Sequence, residues 1–181
     1  MDSFPAPRLR GVEKSDLAAI AELEATAFGT NSLTRSALDV VFDPSGGLWL
    51  LAEDDERVWG HSVNVHGEDP NVGWIVGMAI HPQRQRQGWG RILLQATIER
   101  LLDYDMDVIR LLVKQDNKVA RRLYETFGFH GTGQRIDHFG TGEDRLIMSL
   151  LLTSQGESGT RAASGGVSRV PQVPVDDGRQ F

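Results

Sequence analysis

A basic, glycine-containing stretch in the middle of the chain has the residue types that bind phosphate groups. It spans residues 85–91, with the sequence QRQGWGR, and leads into a segment whose apolar residues recur every three or four positions, which predicts an amphipathic helix. The first backbone N–H groups of a helix are unpaired and lie at the positive end of its dipole. Glycines at 88 and 90 leave room for an anion beside those donors, and Arg84, Arg86 and Arg91 add cationic groups. The stretch predicts a pyrophosphate site, with a plain loop turn as the alternative.

The elements on either side of this loop determine where it lies. Before it, Trp74 to Ile80 is an apolar, partly β-branched run that predicts a strand, and Pro82 ends the strand because proline cannot donate to the ladder. After the helix, Val108 to Val113 predicts a strand that is buried on both faces. Strand, helix and strand in this order predict a parallel βαβ unit. The loop would then lie at the carboxyl end of a strand, where open α/β sheets bind ligands.

A second motif follows this unit. Residues 116–129 read DNKVARRLYETFGF and predict a helix from Asn117 to Phe127, with Gly128 just beyond its end. The two motifs, Gln-x-x-Gly-x-Gly and then Asn-x-x-Ala-x-x-Leu-Tyr-x-x-x-Gly-Phe, resemble those of the GNAT superfamily of N-acetyltransferases. A dinucleotide fingerprint would need a third glycine where Leu93 stands, and a P-loop would need Gly-Lys-Ser/Thr, which is absent.

The resemblance implies transfer of an acetyl group from acetyl-CoA to a primary amine of a small molecule or a protein, without a metal. It implies that the pantetheine arm of acetyl-CoA pairs with the backbone of the central strand and that its pyrophosphate lies on the loop. It also makes Tyr124 the acid that protonates the departing CoA thiolate, since a phenol with a pKa of about 10 is still protonated at neutral pH. By position, the cofactor-binding residues are Met78, Ala79, Ile80, Arg86, Gln87, Gly88, Trp89, Gly90, Arg91 and Asn117.

Some of these positions also have structural interpretations. Asn117 suits a helix N-cap, and Tyr124 suits a core residue with its hydroxyl group at the surface. Gly77 in the central strand indicates either a bulge that splays the sheet or relief of crowding beside Trp74.

The sequence leaves the general base open. An amine with a pKa near 10 arrives protonated, so a base must remove a proton from it. Relatives in the superfamily place a glutamate where this chain has Trp74 or Leu112. Because both carboxylates are missing, a non-catalytic acyl-CoA-binding module is the alternative function. The remaining candidates, besides a water relay, are His66, Glu68, Asp69 and His81.

Length and patterning predict one α/β domain over residues 1–152, with a mixed sheet of about seven strands and about four helices. The resemblance implies that this sheet is GNAT-like. The composition of residues 153–181 is rich in Gly, Ser and Pro and predicts a disordered tail. Other predicted elements are a strand from Leu9 to Val12, a helix capped by Ser15, a helix from Thr34 to Val41 before a loop over 43–47, a hairpin of 48–52 with 58–65, and final strands at 130–139 and 145–152.

Charge and composition limit the function classes. The formal net charge of −6 argues against a general nucleic-acid binder. The chain contains no cysteine, which excludes disulfides and thiolate metal sites. The start of the chain has no apolar segment of signal-peptide type, and no apolar run reaches the roughly 18 residues of a membrane span. These features predict a cytoplasmic protein without nucleic-acid or membrane partners, and they leave a homodimer open.

Overall fold

The computed structural model describes residues 7–55, 57–138 and 140–152. In this part of the chain seven strands form one mixed sheet, accompanied by four α-helices, which confirms the predicted fold class. The predicted tail over 153–181 lies outside the described residues. The strands are β1 (Arg8–Gly11), β2 (Leu50–Glu53), β3 (Val58–His66), β4 (Val72–Ile80), β5 (Val108–Val113), β6 (His130–Arg135) and β7 (Arg145–Leu151). The helices are α1 (Leu17–Phe28), α2 (Arg35–Ser45), α3 (Trp89–Asp103) and α4 (Lys118–Thr126).

The sheet has the order β1-β2-β3-β4-β5-β7-β6. Strands β4 and β5 are parallel and are joined by α3, as the βαβ prediction requires. Their pairing extends only from Val72 opposite Val108 to Ile75 opposite Leu111. We call residues 72–75 of β4 the paired half and residues 76–80 the splayed half, because the latter pairs with β3 alone.

A β-bulge marks the boundary between these halves. Val63 of β3 pairs with Gly77, but the next residue, Asn64, pairs with Ile75, so Val76 is an extra residue on β4. The bulge therefore lies one residue from Gly77, which agrees with the first of the two interpretations of that glycine. A bulge bends its strand, which explains why β4 leaves β5 at this point.

Successive residues of β3 show that α1 and α3 cover opposite faces of the sheet. A Cβ atom on Gly60 would contact Ile80, which packs with Trp89 of α3. The neighbouring His61 instead contacts Glu24 of α1. Because adjacent residues of a strand point to opposite faces, the central strands are buried between two helical layers.

The prediction of a loop over residues 43–47 is wrong, because α2 continues to Ser45 with Pro44 inside its last turn. Tertiary packing outweighs the loop-forming composition here. The Phe42 ring meets the Trp49 ring edge to face, with centroids 5.3 Å apart. Gly46 is the C-cap of the helix, and a Cβ atom there would lie 2.5 Å from the Phe42 ring. A 3₁₀ turn at Gly46–Leu48 then delays β2 to Leu50.

The predicted N-cap at Ser15 is also wrong. A 3₁₀ turn at Lys14–Asp16 precedes α1, which begins at Leu17. The side chain of Asp16 accepts the Glu13 backbone N–H at 2.7 Å and forms an ion pair with Arg10 at 2.7 Å. The acidic residue therefore organises the start of the helix, because its carboxylate can accept both donors at once.

Candidate active site and cofactor loop

The loop between β4 and α3 has the backbone geometry of an anion site. Gly88 precedes α3 with a left-handed φ of +86°, a conformation that glycine adopts without strain. The backbone N–H groups of Arg91 and Ile92 both donate to the Gly88 carbonyl group, at 3.0 and 3.1 Å. The amides that precede them, at residues 88–90, lie at the N-terminus of α3, where helical geometry leaves donors for an external acceptor.

Gly90 is a glycine that the protein's own packing does not require. Its φ is not positive, and a Cβ atom there would lie 3.6 Å from Leu123 and 3.8 Å from Ile80, which are ordinary contacts. Neither backbone conformation nor crowding therefore explains the missing side chain. A glycine here leaves room for a ligand to approach the first turn of α3.

The two glutamines of the loop hold it to neighbouring backbone. The Gln85 side-chain amide donates to the Ile80 carbonyl group at 2.9 Å, which fixes the loop to the end of β4. The Gln87 amide donates to the Gln83 carbonyl group at 2.9 Å. The first residue of the Gln-x-x-Gly-x-Gly motif thus has a structural role in this chain.

The arginines near the loop are not equivalent. Arg84 forms an ion pair with Asp54 at 2.7 Å and lies 4.5 Å from the centroid of the Trp59 ring, so it holds the loop against β3. Arg91 bonds Thr126 at 3.2 Å, which links α3 to α4. Arg86 is exposed and has a φ of +60°, which is uncommon outside glycine. Arg84 therefore has a structural role in this chain, and its expected role beside the anion stays a prediction.

Several predicted cofactor residues pack their side chains against the core. The Trp89 side chain is 2% exposed and packs in a cluster with Ile80 and Leu93. Ala79 is buried as well, and Met78 is partly buried. Their side chains belong to the core, which agrees with the expectation that a ligand would pair with the main chain of the splayed half.

Helix α4 brings the second motif to the loop. The Asn117 side chain accepts the Ala120 N–H at 3.1 Å, so Asn117 is the N-cap of α4. Gly128 follows the helix with a φ of +91°, the left-handed C′ residue that the sequence predicts. Leu123 is the α4 residue that lies beside Gly90. The two motifs, some thirty residues apart in sequence, therefore meet in space.

Tyr124 lies one residue beyond that contact. Its ring is partly buried and packs against Phe129, with centroids 5.8 Å apart. Burial raises the pKa of the Tyr124 phenol to about 12. Among the residues that the structure describes, none forms a hydrogen bond with its hydroxyl group. The phenol is therefore protonated at neutral pH and free to donate.

Three of the four side-chain candidates for the base lie away from the splayed half. His66 pairs with Gly73 at the opposite end of β4, and Glu68 and Asp69 lie in the turn beyond it. Gly73 and Gly77 are four positions apart, which is about 13 Å along a strand.

His81 lies beyond the other end of β4. Its ring packs on Trp59 at 5.1 Å, and its Nδ1 atom accepts the Gln83 N–H at 3.3 Å. Burial, and to a lesser extent the charge of Arg57, lowers the pKa of His81. The imidazole fixes the loop through its bond with the Gln83 N–H.

Sequence reasoning missed a buried acid and histidine. Glu24 of α1 and His61 of β3 face each other, with Oε1 and Nε2 3.0 Å apart. The periodic patterns of α1 and β3 both indicated that these two residues face inward. Glu24 follows Leu17 and Ile20 at the spacing of the apolar stripe of α1, and His61 alternates with Val63 on the inward face of β3.

Comparison with known proteins assigns the class. The family described as "Acetyltransferase (GNAT) family" matches residues 17–129, and the chain therefore belongs to this family. Membership confirms the predicted family, which is a family of acetyltransferases. No helix among the described residues has the length and apolar character that crossing a membrane requires.

The similar sequences include mycothiol acetyltransferases. The protein of that name from Rhodococcus jostii is 35% identical over 102 residues, which cover 54% of this chain and 33% of that protein. The one from Streptomyces coelicolor is 33% identical over 142 residues, which cover 70% of this chain and 45% of that protein. The chain thus spans less than half the length of these relatives.

Solved structures share the fold. The ribosomal-protein-S18-alanine N-acetyltransferase from Escherichia coli superimposes with a TM-score of 0.74 at 23% identity, covering 86% of this chain and 99% of that one. An acetyltransferase from Salmonella typhimurium, solved with its cofactor acetyl-CoA, gives a TM-score of 0.70 at 21% identity, covering 87% and 100%. At these identities the likeness establishes the fold alone.

Proposed function

We propose that this chain transfers the acetyl group of acetyl-CoA to a primary amine of a small molecule or a protein. One observation carries the proposal. The splayed half of β4 pairs with β3 alone, although β5 continues beyond the last β4 pair to Val113. Backbone donors and acceptors on the open side of β4 need a partner, and an extended ligand with amide groups can supply one. The pantetheine arm of acetyl-CoA has that form.

The same groove ends at the loop, which we propose binds the pyrophosphate. The amides of Gly88, Trp89 and Gly90 lie at the positive end of the α3 dipole, and Gly90 leaves space for the anion. Arg86, Gln87 and Arg91 border this position. The side-chain NH₂ group of Asn117, whose side-chain oxygen caps α4, is the group that would contact the cofactor.

The chemistry follows from the groups at the splayed half. The amine nitrogen attacks the thioester carbonyl carbon, and a backbone N–H near Gly77 or Met78 stabilises the negative charge that develops on the oxygen. The carbon–sulfur bond then breaks. Tyr124 gives its proton to the departing thiolate. Its raised pKa keeps the phenol protonated, and its helix, α4, lies beside the loop.

The acceptor is proposed only at the level of its functional group. Similar sequences bear the name mycothiol acetyltransferase, which favours testing small-molecule amines first. The fold is shared with an enzyme that acetylates a protein amino group, so peptide N-termini form the second set.

We further propose that residues 1–152 form the catalytic domain, that residues 153–181 are a tail outside it, and that the protein acts in the cytoplasm without nucleic-acid or membrane partners. A homodimer is compatible with this function.

The test is release of CoA from acetyl-CoA in the presence of a panel of amines and peptides. The chain contains no cysteine, so a thiol reagent reports CoA without background from the protein. Acceptor-dependent CoA release, with an added acetyl group detected on the acceptor by mass spectrometry, is the expected result. Tight acetyl-CoA binding without transfer to any acceptor would instead support the non-catalytic acyl-CoA-binding module.

A further inference from the structure

Glu24 and His61 form a buried pair of ionisable groups that the mechanism above does not use. Glu24 lies on α1 and His61 on β3, and their side chains are 2% and 0% exposed. Fully buried acids and histidines are uncommon unless they are paired, and where they occur in a site they are candidates for proton transfer.

The hydrogen bonding of this pair is incomplete. Glu24 Oε2 accepts the Leu33 backbone N–H at 2.9 Å. Glu24 Oε1 and His61 Nε2 are 3.0 Å apart, but their orientation does not meet hydrogen-bond geometry, and His61 Nδ1 also has no partner among the described residues. Leaving buried polar atoms unsatisfied is costly, so a pair whose role was only to hold α1 on the sheet would be expected to align better.

The pair lies directly against the start of the splayed half. A Cβ atom on Gly77 would be 3.0 Å from Glu24 Oε1 and 3.2 Å from Leu33. On the neighbouring strand, His61 is paired with Ala79. The absence of a side chain at Gly77 therefore lets the carboxylate reach the backbone of β4 at the place where the thioester is proposed to lie.

We propose that Glu24, supported by His61, accepts the proton of the attacking amine. This inference rests on the proposed acetyl transfer. It accounts for the absence of a carboxylate at Trp74 and at Leu112, because the base is supplied instead by Glu24 of α1, which lies against Gly77. Glu24 contacts the amine directly or through one water molecule. His61 acts through Glu24 and is a positioning residue.

The protons balance over one turnover. The ammonium group gives one proton to Glu24, and the free amine then forms the new carbon–nitrogen bond. When the carbon–sulfur bond breaks, Tyr124 protonates the thiolate, and the second proton lost by the nitrogen restores the Tyr124 phenol. The proton held by Glu24 and His61 passes to solvent, so each cycle releases one proton with the amide and CoA.

Glu24→Gln is the principal test, because glutamine keeps the size of the side chain and can still accept the Leu33 N–H. With an acceptor that the wild type uses, we expect kcat to fall by about 10² to 10⁴-fold, while acetyl-CoA affinity stays within a few-fold of wild type. Glu22→Gln is the matched control, since Glu22 is exposed on the same helix, and it should leave kcat unchanged.

A second readout separates a base from a structural residue. A fluorinated analogue of the same acceptor, whose amino group is uncharged at neutral pH, needs no proton removed before attack. We expect Glu24→Gln to lose far less kcat with this analogue than with the parent amine. A structural defect would reduce both rates equally, and that result would overturn the proposal.

The remaining outcomes are also decisive. A Glu24→Gln kcat within threefold of wild type would overturn the assignment and leave the proposed acetyl transfer intact, whereas a wild type that acetylates no amine would remove both. If Glu24→Gln does not fold, His61→Asn is measured with the same two acceptors, and the same difference between them is expected. Failure of both variants to fold would show that the pair is structural and would contradict the proposal.

Discussion

The two halves of β4 belong to one strand but have different surroundings. In the paired half, residues 72–75 have β3 on one side and β5 on the other. In the splayed half, residues 76–80 have β3 alone. The change occurs at one bulged residue, Val76, which is 47% exposed, whereas the preceding Ile75 is 5% exposed.

This difference shows how a sheet interior can offer an edge to a ligand. An edge strand normally lies at the margin of a sheet, where it can pair with other chains. Here an edge is produced in the middle of the sheet by one extra residue, and it is flanked by α1, α3 and the loop. The paired half would therefore serve stability, and the splayed half would serve binding and catalysis.

The largest expected effect of this division is on turnover. Tyr124→Phe keeps the ring and its packing on Phe129 and removes the proposed proton donor. We expect kcat to fall by about 10² to 10⁴-fold, with acetyl-CoA affinity within a few-fold of wild type. Tyr104→Phe is the control, since Tyr104 is the other of the two tyrosines in the chain and lies just after α3. A loss under about tenfold in Tyr124→Phe would return Tyr124 to a packing role.

The next effect concerns stability and compares adjacent residues across the boundary. Ile75→Ala should lower the free energy of unfolding by about 2–5 kcal/mol, because it removes a buried side chain from the paired half. Val76→Ala should change it by less than about 1 kcal/mol, because Val76 is largely exposed. Urea denaturation measures both changes in the free energy of unfolding, provided that the dependence of this free energy on urea concentration has the same slope in each variant. Equal destabilisation would mean that the splayed half is packed like the rest of the strand.

A smaller effect is expected on ligand-induced protection. Acetyl-CoA at 100 times its Kd should stabilise the wild type by about 2.7 kcal/mol, and Gly90→Glu should abolish this by placing a carboxylate in the pyrophosphate position. Gly90→Ala should keep it, because a Cβ atom makes only ordinary contacts there. Thermal unfolding of each protein with and without acetyl-CoA measures this protection. Undiminished protection of Gly90→Glu would remove the loop from the proposed site.

The smallest expected effect is on the pH dependence of kcat, where ionisation of Tyr124 should cause no change. A proton donor fails when it loses its proton, and burial raises the pKa of Tyr124 to about 12. Deprotonation of Tyr124 should therefore not reduce kcat between pH 7 and pH 10, the pKa of an ordinary phenol being about 10. An alkaline loss of kcat below pH 10 that disappears in Tyr124→Phe would contradict the raised pKa.

Much of the fold and of the loop could be predicted from the sequence, because the residues that determine them lie at fixed spacings in local motifs. The strand, loop and helix from residue 72 to 103 and the helix from 118 to 126 depend on period, proline and glycine, and these signals act within a few residues. Gly77 indicated the bulge in the same way, as one of two interpretations of that glycine. Such features combine into the βαβ unit because crossover handedness leaves few alternatives.

Features that depend on distant contacts were not predictable. The extension of α2 through Pro44 depends on the packing of Phe42 against Trp49, which only the fold brings together. The pairing of Glu24 with His61 joins residues 37 positions apart on α1 and β3, and neither pattern alone indicates the other. Arg84 was predicted near the anion, but its bond to Asp54 depends on the position of the β2–β3 hairpin.

Amide hydrogen exchange along β4, with and without acetyl-CoA, tests the central claim most directly. If the splayed half holds the cofactor, amides within residues 76–80 and at the start of α3 should exchange more slowly when acetyl-CoA is bound. Those within residues 72–75 are already paired on both sides and should exchange as before. Protection confined to the paired half, or equal slowing in both halves, would contradict the account.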